Sequence, residues 1–218
     1  MYALKRKKGK KMQDVYVFDL DGTLVDSMTP AVAIVLSFLD EHGVVYAPDI
    51  VKILTPLGFK GIARYYATEL GVPMQEEEIY RVFQDKLKVA YASEIRLKTG
   101  VEDALKRLKS DGASLNVLTA SPHAFTDVCL QNNGVYGLFD NVFSSEDFSM
   151  LKSDVRIYAE VEKRLGSPFV MVDDSVTVVK TAKRAGMRTV GVYEPFFEDE
   201  WAEMQRVADK TIMDFSSL

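Results

Sequence analysis

The segment Asp14-Val15-Tyr16-Val17-Phe18-Asp19-Leu20-Asp21-Gly22-Thr23 decides how this 218-residue chain folds. Residues 14–19 are dominated by β-branched and aromatic side chains, and Asp21-Gly22 interrupts that run at once. A short apolar run that ends in a glycine-containing turn predicts a buried β-strand followed by a turn. Two carboxylates, those of Asp19 and Asp21, are therefore expected directly beyond the end of a buried strand.

The sequence from about residue 28 to about residue 95 has a helical pattern. Apolar side chains recur there at helical spacing, as in Val32, Val35 and Leu39. Glycines and prolines, among them Pro56-Leu57-Gly58, separate these stretches. The pattern predicts an all-helical unit of about four helices.

Beyond Gly100 the chain alternates between helical and strand patterns. Helices are predicted at 101–111, 123–133, 153–165 and 176–185, with a weaker one at 198–208. Strands are predicted at 114–119, near 141–144, at 168–172 and at 188–192, with an edge strand at 211–213. Repeated helix–strand units are typical of a parallel sheet with helices on both faces, so the predicted fold class is α/β. Because the first strand joins that sheet, the helical unit is an insertion.

The composition, with 47% hydrophobic and 27% charged residues, is that of an ordinary globular protein. Its charge is unevenly distributed, because six basic and no acidic residues lie among the first eleven. The rest of the chain carries 21 basic and 32 acidic side chains, a net charge of −11. Nucleic-acid binding needs a basic face and is not expected. The basic arm, residues 1–12, is predicted to be a flexible, solvated terminus.

Cysteine and histidine are too rare to build a disulfide or a zinc site. The chain has one cysteine, Cys129, and two histidines, His42 and His123. The apolar surroundings of Cys129 in the sequence predict a small core residue in a reducing compartment. No apolar run reaches the ~20 residues of a membrane span, and the N-terminus lacks an apolar signal core. We therefore expect a cytoplasmic protein without membrane contact.

Polar residues stand at the ends of three predicted strands. They are Asp19 to Thr23 after the first strand, Thr119-Ala120-Ser121 after the second, and Asp173-Asp174-Ser175 after a later one. The carboxyl ends of parallel strands meet at one edge of the sheet, where ligands bind. Clustered carboxylates repel one another unless a cation lies among them, and oxygen ligands of this kind suit Mg²⁺. Lys152 is predicted to open the following helix and to bring a positive charge to the same edge.

These residue types together point to phosphoryl transfer. A carboxylate beside a metal can attack phosphorus, and a second carboxylate two residues on can protonate the leaving oxygen and later activate water. The sequence has neither a Gly-x-Gly-x-x-Gly motif after the first strand nor a Gly-x-Ser-x-Gly motif, which disfavours hydride and acyl transfer. Helix-capping turns are the alternative interpretation of each acidic segment alone.

The segment from Phe18 to Ser27, Phe-Asp-Leu-Asp-Gly-Thr-Leu-Val-Asp-Ser, resembles the signature of the haloacid dehalogenase (HAD) superfamily. Within it the chain is similar to the phosphoglycolate phosphatase and β-phosphoglucomutase-like group, whose helical cap follows the first strand. The resemblance extends from about residue 13 to about residue 215. It implies a Rossmann-like core at 13–26 and 97–218 and a helical cap at 27–96.

The resemblance also implies roles for individual residues. Asp19 would be the nucleophile and a metal ligand, and Asp21 would be the general acid and base, with its backbone carbonyl on the metal. Thr119, the amide of Ala120 and Lys152 would hold the phosphoryl group, while Asp174 and Asp173 would bind Mg²⁺. The implied activity is magnesium-dependent hydrolysis of a small phosphorylated metabolite through an aspartyl-phosphate.

The sequence departs from the family pattern at several positions. Relatives usually continue the lysine as Lys-Pro-x-Pro, whereas this chain reads Lys152-Ser-Asp-Val155, and a frequent fourth-motif aspartate is Val178 here. The acid at position 21, in place of the tyrosine of the dehalogenases, favours phosphate esters over carbon–halogen bonds. Mutases of the group usually carry a histidine where this chain has Ala31, which favours a hydrolase.

The cap is expected to select the substrate, because such caps close over the site. Lys60 and Arg64 are the predicted substrate-binding residues of the cap, and ordinary helix surface is the alternative interpretation of both. Two other functions remain open from the sequence. One is a β-phosphoglucomutase-like sugar-phosphate mutase, and the other is a non-catalytic signalling module that accepts a phosphoryl group.

Overall fold

The computed structural model describes residues 13–54 and 57–218. The predicted basic arm, residues 1–12, lies outside the described residues, and so do Thr55 and Pro56. Within the described residues, no helix has both the length and the apolar character needed to cross a membrane.

The centre of the fold is a six-stranded parallel sheet in the order β3-β2-β1-β4-β5-β6. Its strands are β1 (Val15–Phe18), β2 (Ser114–Thr119), β3 (Asn141–Ser144), β4 (Val170–Asp173), β5 (Arg188–Val192) and β6 (Lys210–Ile212). The predicted α/β class is confirmed. The strand that opens the chain lies between β2 and β4, in the middle of the sheet.

Nine α-helices surround or extend from this sheet in the described ranges. They are α1 (Met28–Glu41), α2 (Ile50–Leu54), α3 (Gly58–Thr68), α4 (Glu76–Ser93), α5 (Val101–Ser110), α6 (His123–Asn132), α7 (Arg156–Leu165), α8 (Val176–Arg184) and α9 (Trp201–Val207). A 3₁₀ segment, Pro195–Glu200, precedes α9, so the single helix predicted at 198–208 is two elements.

The alternation of side chains along β1 places one hydrophobic cluster on each face of the sheet. Phe18 faces a cluster that contains Leu105 of α5 and Leu130 of α6. Val17 faces the opposite cluster, which contains Ile157 of α7 and Ala182 of α8. Val17 and Phe18 point to opposite faces and are both fully buried, so β1 is covered on both sides, as expected of a central strand in a parallel sheet.

Helices α1 to α4 form a third hydrophobic cluster between β1 and β2 in the chain. The Phe83 ring of α4 lies 5.4 Å from Phe38 of α1 and 5.8 Å from Tyr66 of α3, both edge to face. The last turns of α4 leave this cluster, since Leu87 and Tyr91 pack into the core of the sheet. The chain therefore has four helices where the sequence predicted about four, and α4 joins them to the sheet.

The chain leaves and re-enters the sheet region along two adjacent segments. Val25 and Leu97 form an antiparallel bridge. The amide of Asp26 donates to the carbonyl of Arg96, and that of Lys98 donates to the carbonyl of Leu24, both at 2.9 Å. The segments that precede and follow the inserted helices are thus held side by side by backbone hydrogen bonds.

One predicted helix boundary is wrong in a way that affects the site. Helix α7 begins at Arg156 and not at residue 153, so Lys152 lies in a turn ahead of the helix. The carboxylate of Asp154 accepts the Arg156 amide at 3.0 Å, a local bond that competes with helix formation in the preceding residues.

We expect Phe83→Ala to lower the free energy of unfolding by about 3–5 kcal/mol, because it empties the centre of a buried aromatic cluster. Val89→Ala on the same helix is the control, since Val89 is 58% exposed and its truncation is expected to cost no more than about 0.5 kcal/mol. Urea unfolding of both variants measures the difference. Equal destabilisation would contradict the placement of Phe83 at the centre of the cluster.

Candidate active site

The carboxylate of Asp19 lies immediately beyond β1 and meets the ammonium group of Lys152. Backbone pairing continues one residue past the strand, because the Asp19 amide donates to the carbonyl of Val172 at 2.9 Å. Lys152 Nζ donates to Oδ1 of Asp19 and, at 2.9 Å, to Oδ2 of Asp173. Both carboxylates and the lysine are buried, so two ends of neighbouring strands share one positive charge.

Asp174 is held from the other side by the turn that follows β1. The Thr23 hydroxyl donates to Oδ1 of Asp174 at 2.9 Å, and the Asp174 amide donates back to that hydroxyl at 3.1 Å. Gly22 has a φ of +74°, and a Cβ at this position would collide with Oδ2 of Asp174. Glycine is therefore required both by the backbone conformation and by the close approach of the carboxylate.

Burial and mutual repulsion disturb the ionisation of these groups. Burial raises the pKa of Asp19 well above its usual range against the opposing charge of Lys152, and Asp173 raises it further. Burial and the neighbouring Asp173 raise the pKa of Asp174 to about 7. Burial by itself would lower the pKa of Lys152, but Asp173 and Asp19 raise it above the ordinary value. One ammonium group is thus insufficient to neutralise the cluster.

The same three carboxylates fit a divalent cation. One oxygen from each of Asp19, Asp173 and Asp174 lies within 4.8 Å of the others. Hard divalent cations take carboxylate oxygens, and a cation here would relieve the repulsion that raises the pKa of Asp19 and Asp174. The donor set therefore matches a site for a divalent metal ion.

Asp21 points away from these three carboxylates. Its Oδ1 accepts the hydroxyl of Tyr91 at 2.5 Å, and its Oδ2 accepts the hydroxyl of Ser121 at 2.6 Å. The Tyr91 ring stacks on Phe125, with centroids 5.3 Å apart. Burial and the nearby Asp21 charge raise the pKa of Tyr91 well above its usual range, so its hydroxyl stays a donor. The inserted helices thus touch the site directly through α4.

The β2 end contributes Thr119 and the two residues that follow. Thr119 is buried, and its hydroxyl accepts the Ser121 amide at 3.0 Å, while Ala120 is exposed at the same edge. The carbonyl of Ser121 accepts a hydrogen bond from the hydroxyl of Ser144, which joins this loop to the end of β3.

Helix capping, the alternative interpretation of the acidic segments, holds for Ser175, whose hydroxyl accepts the Val178 amide at the start of α8. It does not account for Asp173 and Asp174, which face the cluster.

The turn that carries Lys152 is held without prolines. Tyr158 of α7 is fully buried and donates its hydroxyl to the carbonyl of Lys152 at 2.7 Å. Val178, which stands where relatives often have an aspartate, packs in the hydrophobic cluster beneath. A buried tyrosine hydroxyl therefore anchors the segment where relatives usually have prolines.

Lys98 is a second, partly buried lysine near the site, and no sequence pattern marks it. Its Nζ donates to the carbonyl of Gly22 at 2.6 Å, to that of Tyr193 at 3.0 Å, and to Oε2 of Glu194 at 2.8 Å. Glu194 is only 4% exposed. This charged pair fixes the turn after β1 to the loop after β5.

The contacts of Tyr91 and Ser121 with Asp21 were likewise not predicted from the sequence, because each contact joins residues at least 70 positions apart.

A cleft of about 450 Å³ opens between the inserted helices and the sheet edge, and Asp21, Ala120, Ser121 and Lys60 lie in its walls. Arg64 is not among the lining residues, because its guanidinium forms an exposed ion pair with Glu76 at 2.9 Å. The substrate role of Arg64 stays a prediction. Cys129 is fully buried, and burial raises the pKa of its thiol to about 12, as expected of a core residue.

Comparisons with known proteins agree with this geometry. The sequence profile of the haloacid dehalogenase-like hydrolases matches residues 16–192. The chain is 30% identical to the pyrophosphatase PpaX of Bacillus velezensis over 81% of each protein. It is 27% identical to a phosphoglycolate phosphatase of Agrobacterium fabrum over 96% of this chain and 92% of that one.

A solved structure shares the fold. CbbY from Rhodobacter sphaeroides, crystallised in complex with phosphate, superposes with a TM-score of 0.76 over 95% of this chain and 96% of that chain, at 23% identity. The family profile covers most of the described sheet and the inserted helices. The family resemblance inferred from the sequence is thus confirmed: the chain belongs to the haloacid dehalogenase-like hydrolases and is a phosphatase of that family.

Proposed function

We propose that this protein is a magnesium-dependent phosphomonoesterase that works through an aspartyl-phosphate on Asp19. The observation that carries the proposal is the position of the Asp19 carboxylate, which is bound by Lys152 and within 4.8 Å of two further carboxylates. A nucleophile, a positive charge for the phosphoryl oxygens and a metal-binding acidic pair are thereby brought together.

In the first step, an Asp19 oxygen attacks phosphorus and the bond to the leaving alcohol breaks, while Asp21 gives its proton to the leaving oxygen. In the second step, Asp21 takes a proton from water, the resulting hydroxide attacks the same phosphorus, and the bond to Asp19 breaks to release phosphate. Thr119, Lys152 and the Ala120 amide would hold the phosphoryl oxygens. Asp19, Asp173, Asp174 and the Asp21 carbonyl would bind Mg²⁺, which would neutralise the charge of the transferring group.

The division of the chain into a core (13–26 and 97–218) and a cap (27–96) is part of this proposal. Its support is the separate hydrophobic cluster of α1 to α4 and the adjacent entry and exit segments at Val25 and Leu97. The cleft between the two parts contains Asp21, so cap movement would govern access to the acid and base.

Hydrolysis is favoured over the mutase alternative by the lining of the cleft. Ala31 lies in its wall at the position where mutases usually carry a histidine, and neither His42 nor His123 is among the described lining residues. His42 stacks on Phe38, and His123 pairs with Asp147. The non-catalytic alternative is not retained, because the chain is a phosphatase by family.

We expect Asp19→Asn to reduce phosphate release from p-nitrophenyl phosphate by several orders of magnitude, because the amide is a poor nucleophile. Asp14→Asn is the matched control, since Asp14 precedes the same strand and is exposed. Steady-state kinetics on both variants, with melting temperatures to confirm folding, provide the measurement. Activity in a folded Asp19→Asn protein would refute the assignment of the nucleophile.

Removal of divalent metal with a chelator is expected to abolish turnover, and Mg²⁺ is expected to restore it. Mg²⁺ at 100 times its Kd should also raise the free energy of unfolding of the wild type by ~2.7 kcal/mol, which raises its melting temperature. Asp174→Asn should weaken this stabilisation, whereas Asp85→Asn on the exposed surface of α4 should not. Thermal melts over a Mg²⁺ series test the point, and an unchanged response in Asp174→Asn would argue against this metal site.

Tyr91→Phe removes one of the two hydroxyls on Asp21 and should lower kcat for alkyl phosphates by about 10- to 100-fold, the equivalent of one charged hydrogen bond. The loss should be smaller for p-nitrophenyl phosphate, because its leaving group needs little protonation. Tyr46→Phe, which removes a comparable bond to the exposed Asp40, is the control. An equal loss on both substrates would contradict a role for Tyr91 in positioning the general acid.

A further inference from the structure

The leaving group of a substrate bound at Asp19 would lie in the cleft that contains Asp21. This cleft has a volume of about 450 Å³ and is bounded by α1, α3 and α4 on one side and by the β2–α6 loop on the other. Pockets of this size hold ring-sized ligands, whereas a two-carbon acid or a second phosphate would fill a small part of it. The volume therefore favours a substrate with a bulky alcohol portion.

The walls of the cleft are largely aromatic and aliphatic. Tyr91 and Phe125 form one wall, with their rings stacked at an interplanar angle of 9°. Phe59, Tyr80 and Leu87 from the inserted helices line the same cleft. Flat aromatic surfaces bind rings through apolar contact and offset stacking, and the negative face of an aromatic ring repels a carboxylate.

The charges around the cleft disfavour a second anionic group on the substrate. Among the described lining residues, Lys60 is the one basic side chain, and the carboxylate of Glu146 lies in the same walls. The hydrogen bond from Arg64 lowers the pKa of the Glu76 carboxyl, and the charge of Lys60 lowers it further, so Glu76 lies within the field of Lys60. Arg64, the nearest arginine of α3, is committed to Glu76 as well. Specific recognition of a second phosphate or carboxylate usually relies on a bidentate arginine or several cations, and the described lining residues include neither.

From these observations we propose that the substrate is a phosphate monoester of an uncharged, ring-bearing alcohol. The inference rests on the proposed phosphatase mechanism and names its substrate class. The amide of Gln84, which lies in the same wall as Tyr80, supplies a neutral donor and acceptor for a hydroxyl or carbonyl on that ring. A pyrophosphatase and a phosphoglycolate phosphatase are relatives of this chain, but its cleft selects a different kind of leaving group.

The experiment compares kcat/KM for four esters: benzyl phosphate, ethyl phosphate, 4-carboxybenzyl phosphate and phosphoglycolate. Benzyl and ethyl phosphate both release a primary alcohol, so their ratio reports mainly the ring. Benzyl and 4-carboxybenzyl phosphate differ by one carboxylate, so their ratio reports the charge. We expect benzyl phosphate to exceed each of the other three at least tenfold.

Phe59→Leu is expected to lower the benzyl-to-ethyl ratio by about 3- to 10-fold, the effect of losing one aromatic contact. Tyr136→Leu, which truncates an exposed aromatic residue outside the cleft, should leave the ratio unchanged. Equal rates for benzyl and ethyl phosphate, or faster turnover of phosphoglycolate or 4-carboxybenzyl phosphate, would overturn the substrate class. Absence of phosphate release from all four and from p-nitrophenyl phosphate would instead overturn the phosphatase mechanism itself.

Discussion

Three buried carboxylates lie at the end of the central strands, and among the described residues the ammonium group of Lys152 is the one cation in direct contact with two of them. Removing charges from water costs several kcal/mol per ion unless opposite charges and hydrogen bonds compensate. The rest of the site is arranged around this constraint. Thr23 satisfies Asp174, the Ser175 amide satisfies Asp173, and Tyr158 holds the turn that delivers the lysine. The remaining negative charge would favour a metal ion at this site.

The inserted helices complete the site as well as cover it. Helix α4 packs its middle against Phe38 and Tyr66 and its last turns against the core of the sheet, so it belongs to two hydrophobic clusters. From this position Tyr91 reaches Asp21 and Tyr80 faces the leaving-group cleft, while Phe59 of α3 faces the same cleft. Under the proposed mechanism, α4 would therefore link substrate selection to the placement of the acid and base. A change in how α4 packs on the sheet would alter both properties together.

The fold and the acidic cluster could be predicted from the sequence because they depend on local patterns and one topological rule. Strand patterns placed Asp19, Thr119 and Asp173 at the ends of predicted strands, and the parallel arrangement of the strands brings those ends to one edge of the sheet. The predicted start of α7 was wrong because the Asp154 carboxylate accepts a hydrogen bond from the Arg156 amide, and this local bond competes with helix formation. The contacts of Tyr91 and Lys98 were not predictable, since both residues have ordinary positions in the sequence and their partners are 70 to 96 residues away. The ion pair between Arg64 and Glu76, twelve residues on, was not predicted from the sequence either.

The antiparallel bridge between Val25 and Leu97 has a consequence for how such a chain can change over time. Because the backbone departs and returns at the same place, deleting the inserted helices would leave two ends already in hydrogen-bonding distance. The entropy of closing a loop depends only weakly on the number of residues inside it. Helical units of different length and sequence could therefore be exchanged at this junction with little penalty to the sheet. The catalytic edge can then remain constant while the lining of the cleft diversifies.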